Sequence, residues 1–308
     1  MSILLSSGGQ AMESISSKYR DQITRMLAVS RGQGVVSDKN VHQPGNPEVL
    51  PFIDAIVAEN ALPGSGVRGL EHLRELLAAA RSGESCLLLM EHYSNFDLPG
   101  FHYLLRKAGG DGPAIADALL AIAGIKLNES NPIVLAFTEA YTRLVIYPSR
   151  SIEILKRNIK DPKEMVAEAM RSTAVNLASM RALSELKKKG NIVLVFPSGT
   201  RYRPWGPSSK RGVREISSYI KSFSKMALVA VNGNILRMRA EEGGMEDDLI
   251  CEDRLVYTAG PVVDCAEFRE SVRHEHRFHE DKKQALVDEI MSRLDRIHEA
   301  AEKDRLSR

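Results

Sequence analysis

A mainly parallel mixed sheet covered by helices on both faces is the α/β fold that the sequence predicts, with a small helical domain in front of it. Three observations predict it. Short apolar runs such as "SCLLLM", "NIVLVF" and "MALVAVN" lack polar alternation, as strands buried on both faces require. Segments of helical periodicity stand between these runs, which is the alternation of a sheet built from βα units. Clusters of Gly, Pro, Asn and Asp mark the joins.

Residues 10–30, "QAMESISSKYRDQITRMLAVS", place Ile15, Ile23, Met26 and Leu27 at roughly helical spacing. "RGQGVVSDKNVHQPGNP" reads as a loop, and a helix follows from Pro51 to Asn60 with proline in its first turn. The breaker-rich "ALPGSGVRG" marks the boundary between a helical domain of residues 1–65 and an α/β domain of residues 66–308. In the larger domain "GLEHLRELLAAARSG" is a helix ending at Gly83, "SCLLLM" a strand, and 98–108 a helix. Apolar helices are expected near 114–123 and 131–138, then the strand "RLVIY". The long helix that follows has Asp161 as its cap, Pro162 behind the cap and Gly190 at its end. "NIVLVF" is a strand, "VREISSYIKSF" a helix and "MALVAVN" a strand, and "RLVYTAG" with "PVVD" supplies one or two more. A charged helix carrying Leu286, Ile290, Leu294 and Ile297 comes last.

Bulk composition narrows the function classes. The chain has 308 residues, enough for a large core, and its net charge of +2 does not by itself point to nucleic acid. Three cysteines, Cys86, Cys251 and Cys265, form no paired spacing, which argues against a disulfide framework or a zinc site and for a reducing compartment. No apolar run approaches the roughly 18 to 20 residues that span a bilayer, and "MSILLSSGGQ" does not read as a secretory signal. The expected location is the cytoplasm, with peripheral contact to membranes left open.

The chemistry concentrates where strands end. "SCLLLM" runs directly into "EHYSNFDLPG", so His92 stands at a strand end and Asp97 near the start of the next helix. The two are five positions apart and can meet only because the turn "YSN" separates them. Asp97 can then bond one ring nitrogen and orient the other, which is the base-and-orienter half of a triad without its own nucleophile. Spacing alone is unspecific: His276 and Asp281 repeat it in "HRFHED", which reads as a solvated, charged face. A capping aspartate beside a strand-end histidine is the structural alternative for the first pair as well. Arg150 ends the strand segment "RLVIYPSR", and Arg201 and Arg203 follow the strand that leads into "VFPSGTRYRP". Arginine matches phosphate geometry, and a Gly-containing turn lets backbone N–H groups approach the same oxygens. Taken singly, each arginine is equally an ordinary surface charge.

In this order, "HYSNFD", a strand ending in arginine, and "FPSGTR" resemble the glycerolipid acyltransferases with HxxxxD motifs. "PSGTRYRP" and the helix before it are most similar to the soluble plastid-type glycerol-3-phosphate acyltransferases, over residues 70–235. Leu144 stands where glycine is frequent, Ala230 where proline is frequent, and Ser151 where the plastid type has a basic residue. The resemblance implies that His92 takes a proton from a hydroxyl of glycerol 3-phosphate as it attacks an acyl thioester, and that Asp97 fixes the imidazole. It implies that Arg150, Arg201 and Arg203 hold the phosphate while Gly199 and Thr200 shape the turn. Acyl-CoA or acyl carrier protein would be the co-substrate, with no cofactor, metal or nucleic acid. The alternatives are a lysophosphatidate acyltransferase, a hydrolase with Ser198 as nucleophile, and a non-enzymatic phosphate binder. "FPSGT" lacks the flanking glycine of a nucleophile elbow.

Overall fold

The computed structural model describes residues 12–32, 35–129, 131–149, 151–152, 159–239, 244–276 and 279–307. First come α1 (Ile15–Lys18), α2 (Arg20–Val29), β1 (His42–Gln43) and α3 (Leu50–Asn60). Next are β2 (Gly66–Arg68), α4 (Leu70–Arg81), β3 (Cys86–Met90), α5 (Asp97–Lys107) and α6 (Gly112–Ala118). β4 (Leu119–Gly124), α7 (Lys126–Glu129), α8 (Pro132–Glu139) and β5 (Arg143–Ile146) follow. Then come α9 (Pro162–Leu186), β6 (Ile192–Val195), α10 (Ile216–Ser222), β7 (Lys225–Asn232) and β8 (Leu236–Arg237). The chain continues through β9 (Leu249–Ile250), β10 (Val256–Ala259), β11 (Val263–Asp264), α11 (Cys265–Glu275) and α12 (Lys282–Ser307).

Among the described residues one nine-stranded sheet runs in the order β1-β5-β4-β6-β3-β7-β10-β2, with β11 pairing β7, and β8 and β9 form a separate ribbon. The centre β5-β4-β6-β3-β7 is parallel, β1 joins β5 antiparallel, β10 and β11 join β7 antiparallel, and β2 joins β10 parallel. This is the mainly parallel α/β sheet that the apolar runs predict. Parallel pairing puts the C-terminal ends of β3, β5 and β6 on one edge, where functional groups of such sheets collect.

The helix expected over 114–123 is half a helix. α6 stops at Ala118, and Leu119–Gly124 is β4, held between β5 and β6. "LLAIAG" has the composition of a helix, yet its backbone groups are satisfied by two sheet neighbours, and position in the sheet overrides a weak propensity.

Alternate residues of the strands feed two buried layers. On one face Leu88 and Met90 pack with α3, α4, α5 and α8, and Ile15, Tyr19, Ile23 and Met26 of the first two helices join the same cluster. On the other face Leu87, Leu89, Val193 and Val195 pack against Val175 of α9, Ile216 and Ile220 of α10, Phe268 of α11 and Leu294 of α12. Full burial of each such side chain contributes about 1.5 to 3 kcal/mol. α9 begins as its sequence requires, with the Asp161 carboxylate accepting from the Lys163 N–H at 2.9 Å. At the breaker-rich segment Gly69 has φ of 69°, and a Cβ there would stand 2.2 Å from the Ala259 carbonyl oxygen. β2 can therefore lie parallel beside β10 only with glycine at that corner.

Candidate active site

The turn between β3 and α5 brings His92 and Asp97 together. Asp97 Oδ2 lies 2.9 Å from His92 Nδ1 and accepts the backbone N–H groups of Tyr93 at 2.6 Å and Ser94 at 2.8 Å. Asp97 is buried at the first position of α5, where the helix dipole also favours a negative charge. A carboxylate that already accepts two N–H groups takes the Nδ1 proton as a third, which leaves the Nε2 lone pair available. The imidazole is fixed from a second side by Phe196, stacked at 3.9 Å between centroids and 17° between planes.

Phe196 opens the "FPSGTRYR" turn, so the two motifs are in direct contact. The Tyr202 N–H donates to the His92 carbonyl oxygen at 2.8 Å, closing that contact with a backbone bond. Gly199 has φ of 63°, the left-handed conformation that needs glycine, and Val213 packs against it. Thr200 presents its carbonyl to the Ser198 hydroxyl at 2.7 Å. That bond occupies the Ser198 proton, and Ser198 has no hydrogen bond to His92. Among the described residues there is no serine–histidine couple of a hydrolase at this turn.

The two arginines of the turn differ. Arg201 is ion-paired through Nη1 with Asp248, which is buried and also accepts from Asn95. Burial raises the pKa of the Asp248 carboxyl, and Arg201 pulls against that rise. Arg203 donates its backbone N–H to Ser209 at 2.7 Å, and its guanidinium has no ion pair among the described residues. Arg150 lies outside the described residues, although β5, which leads to it, ends on the same edge as β3 and β6.

A cavity of about 330 Å³ opens beside His92. Phe96, Leu98, Ala121, Ile122, Phe137 and Ile216 give it a mainly apolar wall, and Ser198 and Gly199 form part of its rim. Arg143 is the cation of its inner wall; burial lowers its pKa to about 10, against the opposing charge of Glu139, so it stays charged at neutral pH. Arg143 Nη1 donates to the Thr138 carbonyl at 2.6 Å, whereas Nε and Nη2 have no partner.

The other nucleophile and ligand candidates are excluded by their surroundings. Burial pushes the Cys86 and Cys265 thiols up to about 12, leaving both protonated at neutral pH. His276 ends α11 and Asp281 caps α12, with Arg214 bound to the carboxylate, so the second histidine–aspartate spacing forms no pair. Among the described residues no three His, Cys, Asp or Glu side chains are grouped to hold a metal ion, and no helix is long and apolar enough to cross a membrane.

One contact was not legible from the motifs. Glu91, buried beside His92 in sequence, accepts from the Val231 N–H at 2.9 Å, the Tyr93 hydroxyl at 2.9 Å and His298 Nδ1 at 2.8 Å. An acidic residue directly after a continuous apolar strand is the one signal that could have singled it out. Through it α12 is tied to the turn that carries His92. Burial works to lower the pKa of His298, but the hydrogen bond and charge of Glu91 outweigh it and raise the value. A raised histidine pKa contributes stability that is complete below about pH 6.5 and is lost as pH rises through the folded value. Thermal melts of the wild type and His298→Gln should therefore differ most at about pH 6 and converge toward about pH 9. Curves separated by a constant offset would remove the imidazolium from this tie.

No family model matches the chain, and no curated protein does. Among solved structures the chain is similar to the 1-acyl-sn-glycerophosphate (LPA) acyltransferase PlsC from Thermotoga maritima, at 13% identity and a TM-score of 0.40, over 80% of this chain and 78% of that one.

Proposed function

We propose that the chain is an acyltransferase of glycerolipid synthesis that moves an acyl group from an acyl thioester to a hydroxyl of glycerol 3-phosphate. The observation that carries this reading is an oriented imidazole facing a mainly apolar cavity, with the glycine-containing turn that bears Arg201 and Arg203 packed against it through Phe196 and Tyr202. The free Nε2 of His92 accepts the proton of the substrate hydroxyl as its oxygen bonds to the thioester carbonyl carbon. Asp97 holds the ring and favours the imidazolium that forms. As the tetrahedral intermediate collapses, the C–S bond breaks and the imidazolium returns the proton to the leaving thiolate, so coenzyme A or acyl carrier protein departs as the thiol. No cofactor or metal takes part in this scheme.

The cavity beside His92 is the place for the acyl chain, since its wall excludes water and offers few hydrogen bonds. Arg203, with Arg150, holds the phosphate. Arg201 contributes the donors that Asp248 leaves free. Gly199 and Thr200 shape the turn under these groups. The catalytic unit in this reading is residues 66–308, with the helical residues 1–65 before it, working in the cytoplasm. A lysophosphatidate acyltransferase would use the same machinery on a larger acceptor.

Because the nucleophile belongs to the substrate, no acyl-enzyme forms. Purified protein incubated with a labelled acyl thioester should remain unlabelled and release thiol only when glycerol 3-phosphate is added, and Ser198→Ala should keep most of that activity. Covalent label on Ser198 would establish the hydrolase instead. Thiol release with lysophosphatidate and none with glycerol 3-phosphate would establish the second acceptor.

A further inference from the structure

Helix α9 buries only one of its sides. Ser172, Val175 and Ser179 face the sheet, and Asn176 clamps the Tyr147 backbone through bonds of 2.8 and 3.0 Å. The opposite side carries Val166, Met170, Leu177 and Met180, which are 59, 69, 48 and 67% exposed. Positions 166, 170, 173, 177, 180 and 184 recur every three or four residues and so form one continuous stripe, with Thr173 and Ser184 as its polar members. Ordinary surfaces scatter such side chains singly, and a contiguous apolar stripe marks an interaction surface.

The position of the stripe ties it to the site. Asn176 meets Tyr147 and Ser179 meets the Val145 carbonyl, so α9 runs antiparallel to β5, and its first turns extend up to roughly 20 Å beyond the C-terminal ends of the strands. That is the edge where His92 and the cavity lie. Trp205, 39% exposed, stands on the same edge, after the turn that follows β6.

Charge chooses the occupant. Lys163 and Arg181 lie on this side of the helix, are exposed, and have no ion pair among the described residues, exposed Lys188 follows in the turn at its end, and no Asp or Glu falls within the stripe. Two copies packed symmetrically through it would bring like charges together, either in parallel or antiparallel register. A bilayer surface with anionic headgroups satisfies the apolar stripe and the cations at once. We propose that the exposed side of α9, with Trp205, seats the protein on an anionic lipid surface so that the cavity mouth faces the bilayer. The choice of lipid rests in part on the acyltransferase reading, whose acylated product belongs in a membrane.

The test needs no turnover. The full chain would be floated with vesicles of phosphatidylglycerol and phosphatidylcholine, and the fluorescence of Trp205, the single tryptophan, followed on mixing. Binding, a blue shift of the emission and weakening by salt are expected. Val166→Gln/Met170→Gln/Leu177→Gln should lower partitioning by more than about tenfold while keeping the wild-type melting temperature and the same rate on a water-soluble short-chain thioester. Failure of the wild type to bind, or equal binding by the triple variant, overturns the proposal. So does flotation without a Trp205 shift, or a wild-type dimer that the triple variant dissociates, which would make the stripe a contact between copies. If thiol release fails but vesicle binding follows the stripe, the acyltransferase reading falls and the lipid surface stands.

Discussion

Replacing His92 by alanine is expected to lower kcat by about 10²- to 10⁴-fold while leaving the KM for glycerol 3-phosphate within about twofold. The imidazole is held by Asp97, which keeps its bonds from the Tyr93 and Ser94 N–H groups without it, and by stacking on Phe196. The loss should therefore fall on the chemical step and not on stability. Asp97→Asn should lower kcat by a comparable factor, because an amide that presents its NH₂ to Nδ1 stabilises the tautomer whose Nε2 carries the proton. It also loses the charge that accepts the Tyr93 and Ser94 N–H groups, so its melting temperature should drop as well. His276→Ala serves as the control and should be silent. A His92→Ala protein with the wild-type kcat would end the assignment.

The second large effect separates two arginines that look equivalent in sequence. Arg203 has no ion pair to lose among the described residues, so Arg203→Ala should raise the KM for glycerol 3-phosphate tenfold to a hundredfold and leave the melting temperature unchanged. Hydrogen bonds to a charged group contribute about 1.5 to 3 kcal/mol each. Lysine at this position should recover charge but not the planar fork, and only part of the affinity. Arg201→Ala removes the partner of buried Asp248 as well, which costs stability on the order of 3 to 5 kcal/mol. A double replacement, Arg201→Ala with Asp248→Asn, should restore the melting temperature but not the KM. If KM for the acyl donor moves in step with that for glycerol 3-phosphate, or if neither moves in Arg203→Ala, the turn is structural.

What could be read from the residues alone follows from how locally each contact is encoded. His92 and Asp97 lie within one strand–turn–helix unit, so spacing and turn chemistry were enough to bring them together. The left-handed Gly199 and the cap at Asp161 are likewise local. Asp248 sits among other acidic residues in "GGMEDDLI", and nothing nearby says that it will reach Arg201. Glu91 and His298 meet across most of the chain, through the docking of α12 on β7. β4 has the composition of a helix, because alanine and leucine favour one when only neighbours in sequence are counted. Its strand conformation comes from β5 and β6 on either side.

The place of β3 in the sheet has a consequence for how the protein is made. β3 carries the histidine turn, and it is flanked by β6 and β7, which the ribosome delivers much later, the last of them ending at Asn232. At ordinary synthesis speeds that interval is roughly 7 to 30 s. Until β6 is complete at Val195 the apolar "CLLLM" has no lateral partner on either side, and until β7 is complete one edge of it stays open to any strand that arrives. The nascent chain is thus most open to aggregation while the very segment that will carry the chemistry waits for its neighbours, and a chaperone that shields residues 86–90 would raise the yield of active protein more than one acting anywhere later in the chain.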